Sequence, residues 1–221
     1  MKLYGYWRSL ATFRVRIALN LKGIAHEEAI VDLQKGEQLQ AAYRSVNPQG
    51  VLPSLFDDDG AADGAPLFQS LAILEYLDET HPQPPLLPKA ARDRSRVRAL
   101  ALIAAADTHP LVVPRIRNYL EQELGVAEPA RMAWCRHWIA QGCAALEANL
   151  AADPRTGRFC HGDSVTLADV CLAGHMVGAK LFDVNTSAYP TCERIRDACL
   201  ALDAFAKAHP LAQPGAPRPA G

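Results

Sequence analysis

The stretch Leu3-Tyr4-Gly5-Tyr6-Trp7-Arg8-Ser9-Leu10-Ala11-Thr12-Phe13-Arg14-Val15-Arg16-Ile17-Ala18-Leu19 decides the fold. Its aromatic opening, Leu3 to Trp7, reads as a strand. Phe13, Ile17 and Leu21 then recur every four residues on one face, Leu10 and Arg14 fall on another, and Gly23 supplies a helix stop. The segment predicts strand, turn and helix, with Ser9 at or just before the helix N-terminus. Serine is a preferred cap at that point. The unpaired N–H groups and the positive end of the helix dipole also favour an anion there, and a thiolate is an anion.

Working outward, the alternation continues to about residue 80, with strands over 28–33, 52–56 and 66–68 and helices over 37–44 and 70–79. The turn-rich run Asp57-Asp58-Asp59-Gly60, with Gly64, predicts an antiparallel reversal between the last two strands. The order βαβαββα predicts a small mixed sheet carrying helices, a thioredoxin-like domain over 1–80. His81-Pro82-Gln83-Pro84-Pro85-Leu86-Leu87-Pro88 blocks both helix and central strand, so 81–89 reads as a linker. Helical periods over 91–106, 112–124, 129–150, 167–180 and 192–208 predict an all-helical domain over 90–210, giving the fold class α/β plus all-α. Thr166 followed by Asp169 predicts a capping box at the start of one of these helices. The tail 211–221, with three prolines and two glycines, is expected at the surface or disordered.

The 221 residues carry a net charge of −1, with both signs scattered, so no nucleic-acid partner is expected. The N-terminus has one Lys, at position 2, and no apolar run long enough for a signal peptide or membrane span, and a cytoplasmic protein is expected. The six cysteines lie at 135, 143, 160, 171, 192 and 199 and form no CxxC pair. Their spacing suits neither a zinc site nor a redox dithiol, so no metal is expected and the thiols read as buried. Any thiol that does chemistry here would arrive with a cofactor. Gly-x-Ser-x-Gly, HExxH and GxGxxG patterns are absent.

Three separated features converge on one ligand type. Ser9 sits at a helix start; Pro53 opens a strand and leaves the Leu52 backbone free to pair with an extended ligand; Gln69-Ser70 opens a helix suited to a carboxylate. Together they suit a short acidic peptide bearing a thiol. With Arg8-Ser9, Phe13-Arg14-Val15-Arg16-Ile17-Ala18-Leu19, Asn47-Pro48, Leu52-Pro53, Gln69-Ser70-Leu71-Ala72-Ile73, Glu75-Tyr76-Leu77, His109-Pro110-Leu111, Gly162-Asp163 and Thr166-Leu167-Ala168-Asp169, the chain resembles the cytosolic glutathione transferase family over nearly its whole length. Within it the resemblance is to the zeta class of maleylacetoacetate and maleylpyruvate isomerases.

The resemblance implies glutathione as cofactor, with Ser9 stabilising its thiolate and Leu52 giving main-chain contacts. Gln38, Gln69 and Ser70 would hold the rest of the peptide, and His109 would reach over from the helical domain. Arg8 would face the substrate, with Thr12 a possible second hydroxyl and Arg115 and Lys180 further cations. The class cysteine is missing, since Ser9 is followed by Leu10-Ala11. Val112-Val113-Pro114 stand where asparagines are common, and Leu181 occupies a position that is often basic. These departures fall on the substrate pocket. The implied activity is glutathione-dependent cis–trans isomerisation of maleylpyruvate to fumarylpyruvate in gentisate catabolism. The alternatives are maleylacetoacetate as substrate, a conjugating transferase, or a non-catalytic binding module. A small dicarboxylic diketo acid is the implied partner, and a homodimer the implied assembly.

Overall fold

The computed structural model describes residues 1–57 and 64–217. It divides into two compact units. The first is Met1–Pro85 together with the chain from Leu202 onward, and the second is Leu86–Ala201.

In the first unit β1 (Lys2–Gly5), α1 (Leu10–Leu21), β2 (Glu27–Ile30), a 3-10 turn (Glu37–Leu39), α2 (Ala41–Arg44), β3 (Ser54–Phe56), β4 (Leu67–Phe68) and α3 (Ser70–Thr80) follow in order. The sheet order is β2-β1-β3-β4, with β1 and β2 parallel and the other two pairs antiparallel. This is the expected βαβαββα arrangement. Residues 58–63 of the expected reversal lie outside the described residues.

Helix α1 is buried at every position from Leu10 to Leu19, although its sequence pattern suggests one core face. The reason is a second helix. α9 (Asp203–Ala208) packs on α1, with Phe205 fully buried and Asn20 Nδ2 donating to the Ala204 carbonyl at 3.0 Å. The single helix expected over 192–208 is therefore two, α8 (Pro190–Leu200) and α9, broken where Leu202 turns extended (φ −87°, ψ 133°). Residues from Leu202 group with the sheet, whereas the sequence assigned everything up to 210 to the helical domain. In the tail, Gln213 Nε2 donates to the Lys207 and His209 carbonyls, so 211–217 follow a defined turn at the surface.

The proline-rich joint is pinned rather than free. Lys22 Nζ donates to the Pro84 carbonyl at 2.6 Å and to Asp78 at 2.7 Å within the first unit. Leu86 is buried in the second unit, where its carbonyl accepts the Leu167 N–H at 2.9 Å.

The second unit contains α4 (Ala91–Leu102), α5 (Pro114–Gln122), α6 (Glu128–Ala151), α7 (Leu167–Leu181) and α8. Between α4 and α5 the backbone passes through a π-helical turn (Ile103–Thr108) and a 3-10 turn (His109–Leu111). By length and composition alone the run Ala91–Gln122 could cross a membrane. Here it is bent at those turns, and α4 packs on α7 in the core. α7, buried from Leu167 to Ala179, is the centre of the unit. The capping box expected at its start is present. Asp169, fully buried, accepts from the Thr166 N–H and Oγ1–H, each at 2.8 Å, and its other oxygen takes the Cys160 N–H at 2.7 Å.

Glu147 of α6 caps α8 across the unit, accepting the Thr191 and Cys192 N–H groups at 3.0 and 2.9 Å. Burial alone would raise its carboxyl, but these donors outweigh it and hold the pKa below the usual carboxylate value. A group lowered on folding stabilises above its unfolded pKa and loses that contribution as pH falls through the folded value. Glu147→Gln should therefore cost about 1 kcal/mol at neutral pH. Urea titrations should show the gap to wild type closing as pH drops below about 4.5, the ordinary value for this group.

Candidate active site

Four strand ends meet at one end of the sheet. Because Tyr4 pairs with Ser54, and Ser54 with Phe68, the exits of β1, β2 and β4 and the entry of β3 share that end. Trp7-Arg8-Ser9 leaves β1 there, the segment to Gln38 leaves β2, Leu52 leads into β3, and Gln69-Ser70 leaves β4. Residues far apart in sequence are thus gathered by strand direction alone.

Ser9 is the extended cap of α1 (φ −73°, ψ 112°), its Oγ accepting the Thr12 N–H at 3.2 Å. Its N–H donates to the Tyr6 carbonyl at 3.0 Å. A hydroxyl oxygen engaged as acceptor keeps its own proton to give, and Ser9 is only half-buried, so that proton is available to a ligand anion. Arg8, also half-buried, lies close enough to act on the Tyr6 phenol. Burial raises that phenol, Asp32 raises it further, and Arg8 opposes both.

The segment after β2 is fixed by its own side chains. Asp32 Oδ1 accepts the Gln34 and Lys35 N–H groups, and Glu37 Oε2 accepts the Asp32 N–H at 2.7 Å. This sets the turn that carries Gln38. Gln38 is 8% exposed, and its Oε1 is sealed with no donor among the described residues. Gly50 adopts φ +64°, and a Cβ there would stand 3.0 Å from the Gln38 carbonyl oxygen, so glycine lets the two turns touch.

Leu52, half-buried, precedes Pro53 through a cis peptide, and its N–H and C=O take no hydrogen bond from another described residue. Gln69 caps α3 at φ 68°, unusual for a residue with a side chain and characteristic of ligand-contacting positions. Its Nε2 donates to Gln49 Oε1 at 2.9 Å. Ser70, nearly buried, opens α3, and its Oγ accepts from Arg14 Nη1 at 3.3 Å. Arg14 is 1% exposed, so a cation lies directly behind the N–H groups at the start of α3.

Thr12 requires a correction. It is fully buried, with Oγ1 enclosed and its methyl close against Gly5, so it offers no hydroxyl to a substrate. Its contribution is the backbone N–H that holds Ser9. In the second unit His109 opens the 3-10 turn, half-buried, whereas Arg115 on α5 and Lys180 in the last turn of α7 are exposed. The first unit thus gathers Arg8, Ser9, Gln38, Leu52, Gln69 and Ser70, and the second holds His109, Arg115 and Lys180.

Sequence reasoning gave no role to Arg14, Tyr43 or Asn47, all buried beside the gathered groups. A charged residue on a helix otherwise apolar on that side was the one available signal for Arg14. Tyr43 had none.

All six cysteines are free and buried. Burial pushes the Cys143 thiol up to about 12 and also raises Cys160, Cys192 and Cys199 well above the usual thiol value. These four are held as thiols near neutral pH. Among the described residues no group of His, Cys, Asp or Glu is placed to hold a metal ion.

Residues 8–80 match the family model described as the Glutathione S-transferase, N-terminal domain. A maleylpyruvate isomerase of Ralstonia sp is 47% identical over 214 residues, covering 97% of this chain and 99% of that protein. A probable maleylacetoacetate isomerase of Vibrio cholerae is 45% identical, covering 97% of each. Among solved structures, a maleylacetoacetate isomerase of Methylobacterium extorquens with bound malonate and GSH superposes with a TM-score of 0.95 at 51% identity, covering 99% of this chain and 100% of that one. A holo maleylpyruvate isomerase described as a bacterial zeta-class glutathione S-transferase gives 0.93 at 45% identity, covering 98% and 100%.

Proposed function

Because the chain belongs to the glutathione transferase family, in its zeta class, we propose that it is a glutathione-dependent cis–trans isomerase converting maleylpyruvate to fumarylpyruvate. The observation that carries this reading is Ser9, whose oxygen is engaged by the Thr12 N–H while its proton stays available, in a chain whose own thiols are buried.

The residues present fit glutathione. Gln38 lies on the turn after β2, Leu52 presents unused main-chain groups, and Ser70 opens α3 with its hydroxyl on Arg14. Leu52 would pair with the cysteinyl backbone, Gln38 and Gln69 would hold the remaining peptide, and Ser70 with the first N–H groups of α3 would take the γ-glutamyl carboxylate. When bound, glutathione supplies a thiolate whose reversible addition to the substrate double bond allows rotation about it.

A free thiol has a pKa of about 8.5, so holding the thiolate at neutral pH requires a donor. Ser9 gives it a hydrogen bond, and the positive end of α1 favours its charge. Arg8 would bind a substrate carboxylate through its planar fork and stabilise charge on the adjoining oxygen. Arg115 and Lys180, both exposed, are the further candidate cations within the second unit. Six buried cysteines without a disulfide suit a reducing compartment, and we place the enzyme in the cytoplasm.

Maleylacetoacetate is the second reading, favoured by the 51% identity to the Methylobacterium structure. Apolar Val112, Val113 and Leu181 in the second unit, at the departures from the class pattern, support the shorter acid. Steady-state kinetics with both acids at fixed glutathione should give the higher kcat/KM for maleylpyruvate. A higher value for maleylacetoacetate would reverse the assignment.

A further inference from the structure

We propose that Tyr43, assisted by Asn47, is a positioning residue that aims the Leu52 N–H at glutathione. The inference rests on the reading that Leu52 receives the cofactor. Tyr43 Oη donates to the Val51 carbonyl at 2.8 Å, and Asn47 Nδ2 donates to the same oxygen at 2.9 Å. Both side chains are buried, at 4% and 2% exposure. They fill both lone pairs of one carbonyl and hold it toward the interior.

The Val51–Leu52 peptide is trans, the cis bonds of the described chain being at Pro53 and Pro84. In a planar trans peptide the C=O and the following N–H point in opposite directions. Drawing the Val51 oxygen inward therefore turns the Leu52 N–H outward, toward the end of the sheet where Ser9, Gln38 and Gln69 gather. That N–H finds no acceptor among the described residues. The tether has firm backing. The Ser54 and Tyr43 hydroxyl oxygens are 2.9 Å apart, and since the single phenol proton goes to Val51, Ser54 is the donor between them. Asn47 Oδ1 accepts the Gln49 N–H at 3.1 Å, which fixes the amide's orientation. Burial raises the Tyr43 phenol above its usual value, so it remains a donor across the physiological range.

Tyr43→Phe removes one of the two donors to the Val51 carbonyl, leaving Asn47 Nδ2 on it, and also strands the fully buried Ser54 hydroxyl. Tyr43→Phe with Ser54→Ala leaves no orphan and should melt closer to wild type than the single variant. Calorimetric titration with glutathione should give a Kd raised about 5- to 10-fold in both variants, near the worth of one net hydrogen bond. KM for glutathione should rise in step, while kcat at saturating glutathione stays within about twofold, a split that general loosening of the fold would not produce. A Kd for the double variant within about twofold of wild type would overturn the proposal. A folded wild-type protein that binds no glutathione would instead overturn the functional reading beneath it.

Discussion

Ser9→Ala will lower kcat/KM for the isomerisation by about 10²- to 10³-fold, the loss typical of removing one donor to a developing or resident anion. The same change removes a helix cap, since Ser9 Oγ accepts the Thr12 N–H, and should cost about 1 kcal/mol of stability. The two effects separate with Ser9→Asp. Aspartate caps as well as serine and its charge suits the N-terminus of α1, so the melting temperature should be preserved. Its carboxylate opposes a thiolate, so activity should stay as low as in Ser9→Ala. Ultraviolet titration of bound glutathione should show the thiol pKa rising toward its free value in both variants. Wild-type turnover in either would remove Ser9 from the chemistry.

Asp169→Ala should be the most damaging change to stability, about 3–5 kcal/mol. Three donors converge on this carboxylate, the Thr166 N–H, the Thr166 hydroxyl and the Cys160 N–H. Alanine leaves them unsatisfied around the start of the central helix of the second unit. The expected fall in melting temperature is on the order of 10 °C. Asp169→Asn should rescue little, because its NH2 group must face one of the same donors. A melting temperature within about 2 °C of wild type for Asp169→Ala would show that solvent reaches these groups.

The sequence made the first unit legible because local signals coincide there. Aromatic and β-branched runs, the four-residue period from Phe13 to Leu21 and the glycine at 23 each point to the same element. Strand ends were less readable. β3 begins at Ser54 rather than residue 52, because Pro53 has no N–H for a ladder and the Val51 carbonyl is taken by side chains. The break between α8 and α9 was invisible, since alanine and leucine favour helix on both sides of Leu202. The turn there is decided by long-range burial of Phe205 and Ala208 near α1.

Site residues divided in the same way. Ser9, Gln69 and Ser70 stand at helix starts, where residue type carries a physical meaning, Pro53 pointed to the Leu52 backbone, and family resemblance supplied Gln38. Thr12 is one helical turn beyond Ser9, and only its full burial shows that it faces inward. Arg14 and Tyr43 matter through what they touch across 56 and 8 or 11 residues of chain, which no local pattern encodes.

The central claim is that glutathione, held at Ser9, is a catalyst and is returned unchanged. Its most direct test is an NMR time course of maleylpyruvate with the protein and glutathione at a concentration far below the substrate, with free thiol assayed throughout. Complete conversion to fumarylpyruvate at constant free thiol is the predicted result. Conversion that halts after one equivalent of glutathione, with a stable adduct in solution, would contradict the claim and make the protein a conjugating transferase.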